Sequence, residues 1–496
     1  MSEPSASPPP RSAWWHNWIT LAGAVIAGGS LFAFLLLFAM TLSGFGQRSP
    51  YLAILAYIVA PAFLFLGLAL VLGGWWYARR QKLKGASVPP RVVIDLSRPK
   101  DRRILSWFGL GTLGFLLLTA VGSYQTYEYT ESVQFCGEVC HTVMQPEFVT
   151  YNASSHARVA CVECHVGSGA ASFIHAKVSG LHQVYGVTFN RYPTPIPPPL
   201  AVLRPARETC EQCHWPEKYT GNLERTHHRY LADDNNTPYT DRLLIHVGGG
   251  SAVNGPVGGI HWHIMAANKV EYYATDDQRQ KIPWVRVTGP GGRTTVYRVA
   301  DFKGEPPPGQ IRRMDCIDCH NRPAHQYLSP NDAVDDALYR GAIDPSLKAV
   351  KRTAVDLLTR GYKTQDEAMG RLAAGLRQAY GDGPKAQAAI AAVQEIYRQN
   401  FFPAMKADWS KYPDNIGHLD STGCFRCHDG RHMDADGSRQ MAATDCNTCH
   451  TLLAQGAGAS LATLAPAGVA FKHPSADIDG LGLLCSDCHN GKNQDN

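Results

Sequence analysis

Every cysteine in this 496-residue chain belongs to a pair that is followed at once by histidine, and there are seven such pairs. They are Cys136/Cys140-His141, Cys161/Cys164-His165, Cys210/Cys213-His214, Cys316/Cys319-His320, Cys424/Cys427-His428, Cys446/Cys449-His450 and Cys485/Cys488-His489. Six are strict C-x-x-C-H, and the first carries one extra residue, Cys136-Gly-Glu-Val-Cys140-His141. C-x-x-C-H is the attachment signature of c-type haem: two thiols add to the porphyrin vinyl groups, and the adjacent imidazole becomes the proximal iron ligand. The 14 cysteines therefore serve seven covalently bound haem c groups, with none left over. Zinc needs two such pairs or added ligands and gives no reason for a histidine directly after the second cysteine. A thioredoxin-like redox pair occurs once rather than seven times, and disulfides would not enforce the histidine.

Three stretches lack charge: Trp18 to Leu42, Tyr51 to Ala78 and Ile104 to Gly122. About 20 apolar residues cross about 30 Å of hydrocarbon. Each stretch is long enough, so residues 18–127 are expected to form a three-helix anchor after a short segment, 1–17. The first stretch lacks a strongly basic leader and is too long for the apolar part of a cleaved signal peptide. Residues 79–103 carry nine basic against two acidic side chains, whereas the first loop has only Arg48. The positive-inside rule places that basic loop and the N-terminus in the cytoplasm. The haem motifs then lie outside, the side on which bacteria attach haem c. The expected location is the bacterial inner membrane, multi-pass, with a periplasmic haem domain.

The net charge of +5 is concentrated in this anchor, and residues 124–496 sum to −3. Haem propionates make that part more negative still. An acidic electron-transfer face favours a basic soluble partner, such as a periplasmic cytochrome or another periplasmic redox protein. No nucleic-acid partner is expected.

Residues 124–496 leave about 53 residues per haem, too few for a conventional core around each cofactor. The expected fold is a multihaem cytochrome c, mostly α and irregular with a small β insertion, in which the porphyrins act as core. The motifs fall into two groups, suggesting a four-haem domain (128–328) and a C-terminal three-haem domain (405–496). Residues 215–315 form an insertion in which 270–275, 282–287 and 294–299 read as strands, with a turn at Thr288 to Gly292. Residues 329–404 contain neither cysteine nor histidine and read as a helical spacer. Ser329-Pro330 is an N-cap followed by Pro at N1. Thr364-Gln-Asp-Glu367 is a capping box, and Gly381-Asp-Gly-Pro384 breaks one helix before the next. Tyr192 to Leu200 is proline-rich and extended.

Of the 20 histidines, seven are proximal and His16 precedes the first span, which leaves 12 candidates for the sixth iron ligand. His156, His325, His418 and His473 stand close to another haem motif and are the leading candidates. His228, His432, His261 and His263 remain open alternatives. Residues two apart on an extended segment share a face, so His261 and His263 serve neighbouring haems only if the chain turns locally. His175, His182, His227 and His246 have no local cue. Met144 follows His141 by three residues, and either ligates the first haem and raises its potential or packs against the porphyrin.

The stretches Phe135-Cys-Gly-Glu-Val-Cys-His-Thr-Val-Met144 and His156-Ala-Arg-Val-Ala-Cys-Val-Glu-Cys-His165, after a membrane helix, resemble the NapC/NirT (NrfH-like) family of membrane-anchored c-type quinol dehydrogenases. The likeness covers about residues 104–325. The two additional spans and three further haems make the layout similar to the seven-haem inner-membrane cytochromes of metal-respiring bacteria. The resemblance implies electron transfer from the membrane quinol pool to periplasmic partners in anaerobic respiration, with menaquinol as the expected donor. It implies that His156 ligates the fourth haem, that His325 ligates the second, and that Lys177 lies in the quinol pocket. Lys177 would hydrogen-bond the quinol oxygen as protons leave; the bland alternative is a snorkelling interfacial lysine. The family's acidic residue beyond that lysine has no counterpart, and Gln183 or His182 is nearest. The alternatives are a non-catalytic conduit subunit of a larger membrane complex and a terminal oxyanion reductase. The latter needs an open iron position, for which seven intact motifs and spare histidines leave little room.

Overall fold

The computed structural model describes the chain except residues 1–16, 43–58, 84–95, 108, 111–112, 114–123, 125–127, 130, 140, 168, 198–205, 216–218, 220, 252–254, 266, 443–445, 476–477, 479–482 and 490–496. The chain forms two compact units, one of residues 1–135 with 161–182, the other of residues 136–160 with 183–496.

In the first unit α1 (Trp18–Leu42) and α2 (Ala60–Leu83) pair closely. Small residues let the two backbones meet. A Cβ added at Gly23 would lie 2.7 Å from the Gly67 carbonyl oxygen, and one at Gly67 would lie 2.5 Å from the Ala27 nitrogen. Asn17 clasps the end of the pair: its side-chain oxygen accepts from Thr20 N at 2.7 Å, and its amide donates to the Gly74 carbonyl at 2.9 Å. In lipid there is no hydrophobic gain between helices, so close packing and polar clasps of this kind hold them together. Both helices are long and apolar enough to cross a membrane, and among the described residues they are two rather than the three expected. Residues 99–107, at the start of the third expected span, are helical; most of 104–122 lies outside the described residues.

The second unit holds α3 (His141–Asn152) and the conventional core. That core is built from α5 (Pro330–Tyr339), α6 (Val350–Thr359), α7 (Gln365–Tyr380) and α8 (Pro384–Asn400), with Val334, Val350, Leu358, Leu372 and Val393 buried between them. α4 (Ala170–Thr188) precedes it in the chain. Ser329 Oγ caps α5 by accepting from Asp332 N at 3.0 Å, with Pro330 at the first helical position. Thr364 Oγ1 caps α7 by accepting from Glu367 N at 3.1 Å. The reciprocal half of the expected box is displaced by one residue, because Glu367 Oε2 accepts from Lys363 N at 2.9 Å.

The sheets exceed the small insertion expected. β1 (Asn222–Tyr230) and β2 (Pro238–His246) form an antiparallel hairpin, and β2 also pairs with β9 (His450–Gly456) from the sixth haem motif. β3 (Gly249–Ser251) and β4 (Gly255–Val257) form a short pair. A four-stranded sheet runs β7-β6-β5-β8, from Thr294–Arg298, Trp284–Thr288, Lys269–Tyr273 and Arg312–Arg313. The three strands expected from alternation are β5 to β7. β1, reading Asn-Leu-Glu-Arg-Thr-His-His-Arg-Tyr, has too few apolar residues to show alternation; hairpin pairing and a buried clamp hold it instead. In that clamp Lys351 Nζ lies 2.8 Å from Asp335, both side chains 4% exposed. The same ammonium donates to the Tyr230 carbonyl at 2.5 Å, and Asp335 accepts from Tyr230 N at 3.1 Å. Burial pushes the Asp335 carboxyl up to about 6 in spite of its lysine.

Candidate haem-ligand sites

Most of the attachment motifs fold as single helical turns, among them Cys161–His165, Cys316–Cys319, Gly423–Arg426 and Cys485–Cys488. One turn brings residues i and i+3 to the same side, as two thioethers to one porphyrin require. In the first motif the extra residue falls in a π-turn at Phe135–Val139, whose wider winding accommodates one more residue per turn. Gly137 sits against Phe148 there: an added Cβ would come 2.1 Å from Phe148 Cδ2. Cys140 and the side chains of His141 and Cys446 lie outside the described residues.

Cys164, Cys213 and Cys449 are each the expected second attachment cysteine of their motif. Cys164 is half-buried inside the turn Cys161–His165. Cys213 differs in lying past the end of a helix rather than within one: it is exposed in the turn after Ala206–Cys210, and its N–H donates to the Cys210 carbonyl at 3.1 Å. Cys449 follows the 3₁₀ turn Cys446–Thr448, half-buried, and its carbonyl accepts from His246 N at 2.9 Å. That bond ties the sixth motif to the end of β2.

The fourth motif is fixed by Asp318, the residue before its second cysteine. Asp318 accepts from Tyr272 Oη at 2.7 Å, Arg279 at 3.0 Å, Arg312 at 2.9 Å and Asp315 N at 2.7 Å. Its carbonyl also accepts from Arg426 of the fifth motif at 2.7 Å. This hub was missed in the sequence, where Asp318 reads as one of several variable positions inside the motifs.

Each of five motif histidines faces a second imidazole. Ring centroids are 6.0 Å apart for His156 and His214, 6.3 Å for His261 and His320, 5.9 Å for His263 and His428, 6.3 Å for His418 and His450, and 6.4 Å for His473 and His489. Two imidazoles on one iron place their centroids about 6.2 Å apart, from bonds of about 2.0 Å and about 1.1 Å from nitrogen to ring centre on each side. These residues fit haem iron. The hydrogen bonds agree, because a ligating histidine donates its other ring N–H to a carbonyl or carboxylate. Nδ1 of His156 bonds the Pro323 carbonyl at 3.0 Å, that of His261 the Val247 carbonyl at 3.1 Å, and that of His263 the Ile260 carbonyl at 2.8 Å. His325 shows the same signature toward the Glu147 carbonyl at 3.0 Å. Burial pushes the His418 and His428 imidazoles down to about 4, toward the neutral form that binds metal.

Two expectations change. His156 lies against His214 of the third motif, whereas the ring facing His320 of the fourth belongs to His261. The anchoring bond to Pro323 O sets where the His156 ring sits. His432 is not placed as a ligand: its Nδ1 is 2.8 Å from Asp429 Oδ1 and its Nε2 is 2.7 Å from the Ile282 carbonyl, so both nitrogens are engaged. His228 instead stacks on Tyr339 at 3.7 Å, with Nδ1 at 3.3 Å from Thr240 Oγ1. His246 bonds Thr451 Oγ1 through Nε2 at 3.0 Å. Met144 and His141 stand three apart on α3 and so on one helix face.

Lys177 lies on α4 with its ammonium 2.5 Å from Glu131 Oε1. His182 and Gln183 are exposed. The carboxylate partner of the lysine thus comes from 46 residues upstream, a pairing with no local signal in the sequence.

Residues 99–196 match the NapC/NirT cytochrome c family, N-terminal region. The cytochrome c-type protein ImcH of Geobacter sulfurreducens is 41% identical over 494 residues, covering 95% of each chain. The cytochrome c nitrite reductase subunit NrfH of Nitratidesulfovibrio vulgaris is 29% identical over 121 residues, 24% of this chain and 74% of its own. No solved structure matches the chain.

Proposed function

Since the chain belongs to the NapC/NirT cytochrome c family, whose members act in quinol-linked electron transfer, we propose that it is an inner-membrane heptahaem cytochrome that oxidises menaquinol and passes the electrons to periplasmic acceptors. Haem c, when bound, accepts and releases one electron at a time. The observation that carries this reading is the set of five histidine pairs at iron spacing. We assign His156, His261, His263, His418 and His473 as distal ligands to the third, fourth, fifth, sixth and seventh sites, and His325 as a further ligand by its Nδ1 bond.

Contacts between these sites string them in one order. The helical turns Ala206–Cys210 and Cys316–Cys319, which carry the third and fourth motifs, pack against each other. His261 and His263, facing the fourth and fifth, come from one 3₁₀ turn, Ile260–Ile264. Phe425 of the fifth motif stacks on His418 at 4.4 Å. Leu419, next to His418, accepts from His489 Nδ1 of the seventh motif at 3.2 Å. The turn at 260–264 therefore wires the four-haem part to the C-terminal group. Two imidazoles at each of these five sites would leave no open position on a bound haem iron, which suits relay rather than substrate binding. Lys177 serves the quinol oxygen at the entrance, and the acidic periplasmic surface recruits a basic soluble cytochrome.

Steady-state transfer from a menaquinol analogue to a basic soluble cytochrome, in proteoliposomes, tests the proposal. Turnover that requires the protein and weakens with added salt is expected; absence of turnover with any quinol removes it.

A further inference from the structure

Quinol oxidation needs a proton acceptor, and a protonated lysine is not one. The helix that carries Lys177 holds no carboxylate anywhere in its sequence. Glu131 supplies one. Its Oε1 is 2.5 Å from Lys177 Nζ, and its side chain is 12% exposed against 38% for the lysine. A snorkelling lysine would extend its ammonium into water, whereas this one turns to a largely buried carboxylate. On the same helix Ile174 and Val178, which flank Lys177, are 50% and 62% exposed. The ion pair therefore borders an open apolar surface, the setting in which a lipid-soluble molecule with two hydroxyl groups can present its polar end. In the chain, Glu131 stands five residues before Cys136, the first attachment cysteine.

We propose that Glu131 is the catalytic base for quinol oxidation, with Lys177 holding its carboxylate in place and hydrogen-bonding the quinol oxygen; this rests on the quinol-dehydrogenase reading above. In each of two steps a quinol O–H bond breaks, a Glu131 O–H bond forms, and one electron leaves the quinol for a ferric haem c of the chain. The Lys177 ammonium offsets the charge developing on the quinol oxygen. Glu131 returns its proton to water after each step, so that one quinol yields a quinone, two protons and two electrons.

Glu131→Gln keeps the shape and a hydrogen bond to Lys177 but cannot accept the proton. In the full-length protein in detergent, with all haems present and reducible by dithionite, its reduction by a menaquinol analogue should slow at least about 100-fold. Affinity for a fluorescent quinoline N-oxide inhibitor, read by quenching, should change by less than about threefold, because that ligand gives up no proton. Glu131→Asp should recover part of the rate. An unchanged rate in Glu131→Gln overturns the assignment and leaves the quinol reading intact, and wild-type protein that no quinol reduces overturns both. Inhibitor binding lost together with the rate in both variants makes Glu131 structural and also overturns the assignment.

Discussion

Replacing His432 with leucine separates a buried structural histidine from an iron ligand. The side chain is 1% exposed and has two bonds, to the Asp429 carboxylate at 2.8 Å and the Ile282 carbonyl at 2.7 Å. Leucine fills similar space but strands the Ile282 carbonyl and leaves the Asp429 carboxylate only its backbone donors, Arg431 N at 2.8 Å and residue 432 N at 3.2 Å. An unsatisfied buried carbonyl costs about 1–3 kcal/mol and a lost hydrogen bond to a charged group about 1.5–3 kcal/mol, so a loss of about 3–5 kcal/mol is expected. Burial raises the Asp429 carboxyl, but the bonds from His432 and the backbone outweigh it and hold the group below its usual value. A carboxyl depressed in the folded state contributes stability above its unfolded pKa, about 3.9, and loses it as pH falls through the folded value. The gap between wild type and variant should therefore be full at neutral pH and shrink as pH falls below about 4. Denaturant midpoints followed by circular dichroism measure the cost, and the haem absorption and resonance spectra should stay low-spin and unchanged. A variant of normal stability that shows one haem turned high-spin would refute the reasoning.

Lys351→Met should destabilise by about 3–5 kcal/mol, because it leaves Asp335 buried without its cation, whereas Lys351→Met with Asp335→Leu should recover most of that loss; denaturation midpoints across the double-mutant cycle decide this. His263→Ala should turn a single haem high-spin and slow electron arrival at the three C-terminal sites. The His263 and His428 rings cross at 87°, whereas those of His261 and His320 lie at 16°. Crossed imidazole planes leave the iron d orbitals nearly degenerate, so the paramagnetic resonance signal lost in this variant should be the most anisotropic one.

The attachment motifs were legible because their pattern is local: two cysteines and a histidine within one turn. The histidine pairings were legible only where proximity stood in for geometry, as at His418 and His473. His261 and His263 depended on a local turn, and the 3₁₀ winding at Ile260–Ile264, with about three residues per turn, supplies it and points the two rings apart. His432 looked like a spare ligand until both its nitrogens were accounted for. Helices α5, α7 and α8 could be read from Ser329, Thr364 and Pro384 at their starts, whereas α6 begins after Ala349 with no side-chain cap to mark it. β1 could not, because its partners lie across a hairpin and a buried ion pair. Glu131 was equally hidden: its link to Lys177 spans 46 residues and exists only after folding.

The most direct test of the central claim is anaerobic mixing of the purified, oxidised protein alone with a menaquinol analogue, following the reduced-haem absorption band. Rapid reduction, with dithionite adding little afterwards and Lys177→Ala slowing it without loss of haem, is the predicted result. Failure of every quinol to reduce a protein that dithionite fully reduces would contradict the account and make the chain a conduit fed by another protein.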